Sequence, residues 1–407
     1  MQTPWDHRYA QRTQRMKSSA IRELLKLTEK PDVISFAGGM PAPEVFPVEE
    51  FRRACDYVLT NNPAQALQYG ATEGFKPLRD LIARHEAQFG INVTTDNILV
   101  TSGSQQALDL LGRILINRGD RILVESPTYL GALQAWNAYG AEYVPVTSDE
   151  NGMNTDALEE ALRTGPKFIY CLPNFQNPTG VTLSLERRHK LVELADRYGV
   201  PIIEDDPYGQ LRYEGEHLPS VAVLDGKIRS GDSCYRGNVI YLSTFSKILA
   251  PGLRLAWVIA PPEVILKLTQ AKQGADLHTA TFTQAVAYEV AKNGFINEHV
   301  KVINAVYSER RDVMLDALAE CMPKGVTWTH PQGGLFLWVK LPESLNSQDI
   351  FETAVAQKVA FVPGGSFHPC GGGENTMRLN FSFCKPEVIV EGIHRLSNAI
   401  KIALDKA

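Results

Sequence analysis

Five short polar runs, each following an apolar stretch, hold most of the reactive side chains in this chain. They read Thr101-Ser102-Gly103-Ser104-Gln105, Ser126-Pro127-Thr128-Tyr129, Asn174-Phe175-Gln176-Asn177-Pro178-Thr179-Gly180, Asp205-Asp206-Pro207-Tyr208 and Thr244-Phe245-Ser246-Lys247. Ligands of an open α/β sheet bind beyond the carboxyl ends of its strands, so these hydroxyls, amides, carboxylates and one amine are expected to face a single ligand. Lys247 lies between the apolar run 239–245 and the apolar loop 248–253. Partial desolvation there lowers a lysine pKa and supplies the neutral amine that forms a Schiff base with a carbonyl. Ser104, Thr244 and Ser246 offer hydroxyls, the helix opening at Gly103-Ser104-Gln105 offers free N–H groups, and Arg254 adds a fixed positive charge. Together they describe a cup for a phosphate. Asp205 follows Pro201-Ile202-Ile203-Glu204, and a carboxylate buried at such a strand end needs a cationic partner; a pyridinium N–H would be one. Singly, each residue has a plainer reading: a surface lysine, a serine N-cap, an arginine in a surface ion pair. Their coincidence carries the chemistry.

The elements that must position these residues follow α/β grammar. Strands are expected at 98–101, 121–125, 143–146, 168–172, 201–204, 239–243 and 255–259, most of them rich in Val, Ile and Leu as buried strands must be. Helices are expected at 105–116 and after Ser184, where Leu185, Val192, Ala195 and Tyr198 share a face. Beyond Pro261 long helices follow, at 281–292 and 296–321, then strand-like segments at 335–339 and 361–362. A closing helix carries Ile389, Ile393, Leu396 and Ile400 as one apolar stripe, which should pack on the smaller unit. The expected division is an N-terminal segment 1–44, a large ligand-binding domain 45–296 and a small α+β domain 297–407.

Composition excludes several classes of function. The 407 residues are 44% apolar and 21% charged, close to globular averages, so disorder and coiled coil are disfavoured. Lys plus Arg number 41 against 46 Asp plus Glu, for a net charge of −5; without a basic run, nucleic acid is not an expected partner. The six cysteines form no Cys-x-x-Cys pair, which favours reduced thiols in a cytoplasmic setting. Residues 1–17 contain no apolar h-region, and no run of ~18 apolar residues is present, so neither secretion nor membrane spanning is expected. His368-Pro369-Cys370 supplies too few ligands for zinc, and no metal is expected. The nucleotide-binding patterns of a phosphate loop or a Gly-x-Gly-x-x-Gly turn are absent.

The series Asn177-Pro178-Thr179-Gly180, Asp205-x-x-Tyr208 and Thr244-Phe245-Ser246-Lys247 with Arg254 resembles the signature of class I, fold-type I pyridoxal-phosphate aminotransferases. The stretch 19–27, Ser35-Phe36-Ala37-Gly38-Gly39, Pro41-Ala42-Pro43, Ser102-Gly103-Ser104-Gln105-Gln106 and Leu249-Ala250-Pro251-Gly252-Leu253-Arg254 are similar to the subgroup with 2-aminoadipate and kynurenine aminotransferases. The resemblance implies the fold of that family, with a mainly parallel seven-stranded sheet between helices and a smaller α+β domain. It implies pyridoxal 5'-phosphate as cofactor, joined to Lys247, which then shuttles the proton between the substrate α-carbon and the cofactor. Asp205 would keep the pyridine nitrogen protonated, Tyr208 and Asn177 would bond the ring oxygen, and Tyr129 would stack on the ring. Ser104, Gln105, Thr244, Ser246 and Arg254 would hold the phosphate; Thr244 stands where the family usually has Ser or Gly. Tyr69 would reach the phosphate of a neighbouring subunit, implying a homodimer with shared sites. Arg378 would take the substrate α-carboxylate, with Asn177 and Gly39 beside it, and Arg22 would cover an acidic substrate side chain.

The activity so implied is ping-pong transfer of an amino group from 2-aminoadipate, leucine, an aromatic or a glutamate-like donor to a 2-oxo acid, with 2-oxoglutarate expected. A β-lyase or decarboxylase on the same fold remains the alternative, since side-chain contacts decide the outcome. A transcriptional regulator carrying this domain is not expected, because the roughly forty residues ahead of Gly39 are too few for a DNA-binding module.

Overall fold

The computed structural model describes residues 4–16, 32–229 and 235–406. The chain enters the fold through β1 (Ile34–Ser35) and then builds a large sheet from β2 (Ile98–Thr101), β3 (Arg121–Ser126), β4 (Glu142–Asp149), β5 (Gly152–Met153), β6 (Ile169–Cys171), β7 (Ile202–Asp205), β8 (Val239–Thr244) and β9 (Ala256–Ile259). Spatial order is β2-β9-β8-β7-β6-β3-β4-β5. All seven expected strands are present; the two-residue β5, too short to show periodicity, extends the edge as an eighth. Every residue of β2, β6, β7, β8 and β9 is buried. This is the burial that helices on both faces impose on the strands of a covered sheet, and it selects their unbroken apolar sequence.

The strands from β4 through β3, β6, β7 and β8 run parallel, whereas β9 runs antiparallel to both β8 and β2. Its reversal has a consequence for chemistry. The residue just before β9 is brought to the edge at which the parallel strands end, and close to it stands Arg254, two residues ahead of the strand.

The helix Leu185–Tyr198 begins with the Ser184 hydroxyl accepting the Arg187 N–H at 3.3 Å and ends at Gly199 in the left-handed region, φ 64°. Its buried face differs from the expected one. Leu185 is exposed, and Arg188, Leu191, Val192 and Ala195 form the buried stripe at i, i+3, i+4, i+7 spacing. Arg188 is tolerated inside because its guanidinium donates to the carbonyls of Leu183, Pro173 and Pro219 and to Asn174 Oδ1.

A second sheet orders β10 (Thr327–Trp328), β11 (Phe336–Lys340), β14 (Thr376–Asn380) and β13 (Val362–Pro363) antiparallel, while β12 (Val359–Ala360) pairs in parallel with β1. The helix Phe295–Cys321 runs 27 residues without interruption across position 297. It packs against the closing helix Pro386–Leu404, whose Ile389, Ile393, Leu396 and Ile400 are fully buried. Among the described residues no helix is long and apolar enough to cross a membrane. The described cysteines are all free thiols; Cys234 lies outside the described residues.

Candidate active site

Beyond the carboxyl ends of β3, β6, β7 and β8, and facing β11 and β14, lies a cavity of about 710 Å³. Twelve of the fourteen site residues expected from the sequence line it: Gly39, Ser104, Gln105, Tyr129, Asn177, Asp205, Tyr208, Thr244, Ser246, Lys247, Arg254 and Arg378. Tyr69 is not among them; it is 79% exposed, with its ring edge-on to His278 at 5.8 Å. Arg22 lies outside the described residues.

The residues expected to form the phosphate cup come together on one wall of the cavity. The helix Ser104–Leu115 opens there, and the first-turn N–H groups of any helix lack partners within it. The Ser104 hydroxyl is buried and unpartnered. Thr244 Oγ1 lies 3.0 Å from Ser246 Oγ and accepts the Ser246 N–H at 3.1 Å, so the two hydroxyls are held side by side. Gly103 has φ 89°, and a Cβ there would stand 2.4 Å from Arg254 Nη2. Glycine is therefore what lets the guanidinium reach the helix terminus. Arg254 itself has φ 51°, an uncommon left-handed conformation for a residue with a side chain. The Gln105 side-chain amide donates to the Gly131 carbonyl at 2.8 Å, which leaves its backbone N–H at the helix opening.

In the middle, Lys247 Nζ donates to the Gly39 carbonyl at 2.8 Å. Burial, reinforced by the charges of Arg378 and Arg254, lowers its pKa to about 8. Asp205 ends β7 with one oxygen satisfied, Oδ2 accepting from the Tyr170 hydroxyl at 2.8 Å, and the other, Oδ1, buried without a partner. Burial pushes its carboxyl up to about 7, against the lowering pull of Tyr170. The neighbouring Asp206 faces away, into a separate small cavity with Glu86 and Tyr241, and Oδ1 accepts the Gly209 N–H at 2.8 Å. The Tyr129 ring forms a wall, and a Cβ on Gly131 would meet it at 2.5 Å. Burial raises the Tyr208 hydroxyl above its ordinary range, with Asn177 nearby pulling weakly the other way.

The far end belongs to Arg378, which is fully buried on β14. Nη1 donates to Asn177 Oδ1 at 2.8 Å, Nη2 to the Ala37 carbonyl at 2.7 Å, and Nε has no partner. The guanidinium carbon lies 4.2 Å from the centroid of the Phe336 ring and 5.2 Å from that of Phe367. Burial lowers its pKa to about 10. No carboxylate among the described residues pairs with it.

Known proteins give this arrangement a context. Residues 32–396 match the sequence model of the family described as aminotransferase class I and II. The aromatic-amino-acid aminotransferase 1 of Thermococcus litoralis is 49% identical over 398 residues, 96% of this chain and 93% of that protein. The chain belongs to the class I and II aminotransferases. The 2-aminoadipate transaminase of Thermus thermophilus is 44% identical over 98% of this chain and 97% of its own. The crystal structure of an α-aminoadipate aminotransferase from Thermus thermophilus, complexed with N-(5'-phosphopyridoxyl)-L-leucine, superposes with a TM-score of 0.92 at 42% identity, covering all of both chains.

As a member of this family the chain is a transaminase whose cofactor is pyridoxal 5'-phosphate. The cavity suits that molecule. Three buried polar atoms without protein partners, Ser104 Oγ, Asp205 Oδ1 and Arg378 Nε, all belong to residues that line it. They offer a donor for a phosphate, an acceptor for a ring N–H and a donor for a carboxylate, spaced along a cavity walled by Tyr129.

Several residues of the site were beyond sequence reasoning. Tyr170 is one, although a hydroxyl inside an otherwise apolar strand signals that it must find a buried partner. Phe336, Phe367 and Ala37 carry no such signal, because an aromatic ring or a backbone carbonyl looks the same in a core as beside a guanidinium.

Proposed function

We propose that this aminotransferase takes its amino group from a range of α-amino acids, 2-aminoadipate, leucine, aromatic and glutamate-like, and passes it to 2-oxoglutarate in a ping-pong cycle. The observation that carries this reading is Arg378: a buried guanidinium with an unpartnered Nε, facing the same cavity as a low-pKa lysine. A buried charge without a counter-ion is costly, and the α-carboxylate common to every amino acid and 2-oxo acid supplies one. Breadth of donor is supported by relatives named for aromatic amino acids and for 2-aminoadipate and by a leucine adduct in a similar structure. The mixed wall, with Leu130, Leu172 and Phe336 beside Gln134, suits it too.

Pyridoxal phosphate supplies an aldehyde that condenses with amines and a ring that accepts the electron pair left when the Cα–H bond breaks. The protein's part is positional. Lys247 Nζ, near neutral at its lowered pKa, would be the nucleophile toward the aldehyde and then the base that takes the proton from the substrate α-carbon. Asp205 Oδ1 would hold the proton on the ring nitrogen. Ser104, Thr244, Ser246, Arg254 and the backbone of Gln105 would bind the phosphate, Tyr208 and Asn177 the ring oxygen, and Tyr129 the ring face. Arg378, with Asn177 and Gly39 alongside, would orient the α-carboxylate, and Arg22 would meet a distal one. Tyr69, exposed and outside the cavity of its own chain, would complete the phosphate site of a second copy in a homodimer. The same proposal includes a cytoplasmic setting and a division into the segment 1–44, the domain 45–296 and the domain 297–407; β1 pairing with β12 supports placing the first segment against the last domain.

The test is a set of single half-reactions. 2-Aminoadipate, leucine, phenylalanine and glutamate should each convert the bound cofactor to its amine form, and 2-oxoglutarate should convert it back. Ammonia or carbon dioxide released from a β-substituted or simple amino acid, with no amine form accumulating, would favour a lyase or decarboxylase. Arg22→Ala should weaken 2-aminoadipate selectively, and an equal effect on leucine would remove Arg22 from the site. A monomer in sedimentation with full activity would overturn the shared-site assembly.

A further inference from the structure

The Asp205 carboxylate has two oxygens in different circumstances. Oδ1 is buried at the cavity with no protein partner, and Oδ2 is engaged by the Tyr170 hydroxyl at 2.8 Å. We propose that Tyr170 is a positioning residue for transamination: its phenol fixes which carboxylate oxygen faces the cofactor ring and keeps the proton of that contact on the ring nitrogen. The inference rests on the assignment of Asp205 to the ring nitrogen made above.

The phenol has no freedom to do otherwise. Tyr170 is fully buried in β6, and β6 lies beside β7, with Tyr170 in register with Ile203. Its ring meets that of Trp136 edge-on, centroids 5.0 Å apart and planes at 89°, and Trp136 is itself pinned by donating from Nε1 to the Leu108 carbonyl at 2.9 Å. A side chain clamped in this way delivers its hydrogen bond at one place, which is what positioning requires.

Charge explains the second half of the proposal. When a carboxylate faces a pyridine nitrogen, one proton is shared between two bases, and it rests on the nitrogen only if the carboxylate is the weaker one. A hydrogen bond donated to the carboxylate weakens it as a base. The other titratable groups around the pair push the opposite way or are distant in effect: Asp206 raises the Asp205 pKa, while Tyr129 and Tyr208 are held as neutral phenols by burial. Glu125, which acts on Tyr170, is itself pushed up to about 8. Tyr170 is therefore the side chain among the described residues that favours the ionised carboxylate through a direct bond.

The experiment uses Tyr170→Phe and a fluorinated tyrosine placed at position 170, a stronger donor of nearly the same shape, with Asp205→Asn as reference. Two signals are read: the carboxyl titration of Asp205 in cofactor-free enzyme by carbon NMR, and the nitrogen NMR shift of ¹⁵N-labelled pyridoxal phosphate in loaded enzyme. Tyr170→Phe should move the Asp205 titration upward by about 1 to 2 pH units, the equivalent of one hydrogen bond to a charged group. The ring-nitrogen signal should move toward unprotonated pyridine, and the fluorinated variant should move both in the reverse direction. If Asp205→Asn changes the nitrogen signal and Tyr170→Phe leaves both signals where they were, Tyr170 is a packing residue and the proposal falls. If Asp205→Asn leaves the nitrogen signal unchanged, the assignment of Asp205 falls instead.

Discussion

Replacing Arg378 by methionine separates function from stability in a way few buried substitutions do. Its pKa is depressed from 12.5 to about 10 by burial, so keeping the charge in place costs the empty enzyme about 3 kcal/mol at about 1.4 kcal/mol per pKa unit. Methionine removes that cost and preserves much of the volume between Phe336 and Phe367. It also deletes the bonds to Asn177 Oδ1 and the Ala37 carbonyl, each worth about 1.5 to 3 kcal/mol when the donor is charged. These nearly offset, and the net loss of folding stability should stay within about 3 kcal/mol. The substrate loses far more. Truncating one partner of a buried charge pair costs about 2 to 5 kcal/mol, so kcat/KM should fall by ~30-fold to ~5,000-fold at 1.36 kcal/mol per decade. Because the α-carboxylate is common to all donors, leucine and 2-aminoadipate should lose the same factor. Urea unfolding of the cofactor-free protein gives the first quantity and half-reaction rates give the second. A loss of kcat/KM below ~3-fold for both donors, or one confined to 2-aminoadipate, would refute the assignment of Arg378 to the α-carboxylate.

Three further outcomes are expected. Lys247 ionises near pH 8 and only its neutral amine is nucleophilic, so the rate of covalent cofactor loading into apoenzyme, followed by absorbance, should rise with pH and level off above about 8. An inflection near the solvated value of 10.5 would show the amine to be exposed, and Lys247→Ala should abolish borohydride fixation of the cofactor. Asp205→Asn should slow the half-reaction by ~10²-fold or more, at least ~2.7 kcal/mol in the barrier, with cofactor affinity little changed; near-normal rates would remove Asp205 from the ring nitrogen, and Asp206, which faces another cavity, offers no substitute. Glu86 is buried with Trp257 Nε1 as its donor and is pushed up to about 8 by burial, from an ordinary 4.5. Its folded-state pKa is the higher one, so its contribution is complete below about 4.5 and is lost as pH rises toward 8, at up to about 1.4 kcal/mol per pH unit. Glu86→Gln should flatten the stability–pH profile over that window, and an unchanged slope would show Glu86 to be ionised in the native protein.

Much of this protein is determined locally in its sequence. A short apolar run bounded by turn residues marks a strand of a covered sheet, which is why seven of the eight strands of the large sheet were legible, β4 among them although most of it is not buried. The residues that follow such runs must emerge at the carboxyl edge, which is why Ser104, Asn177, Asp205, Thr244 and Lys247 could be assigned to one site. Tertiary structure decided what depends on direction and on partners distant in the chain. Arg254 reaches the expected phosphate cup because β9 runs against its neighbours, and strand composition carries no direction. Arg188 is buried and Leu185 exposed because the carbonyls of Leu183, Pro173 and Pro219 receive the guanidinium, overriding the polarity on which helical periodicity is read. Arg378 meets Asn177 across 201 residues of chain and Tyr170 meets Asp205 across 35. Each of these contacts is set by which strands become neighbours, and that choice is made by packing the whole molecule rather than by any segment of it.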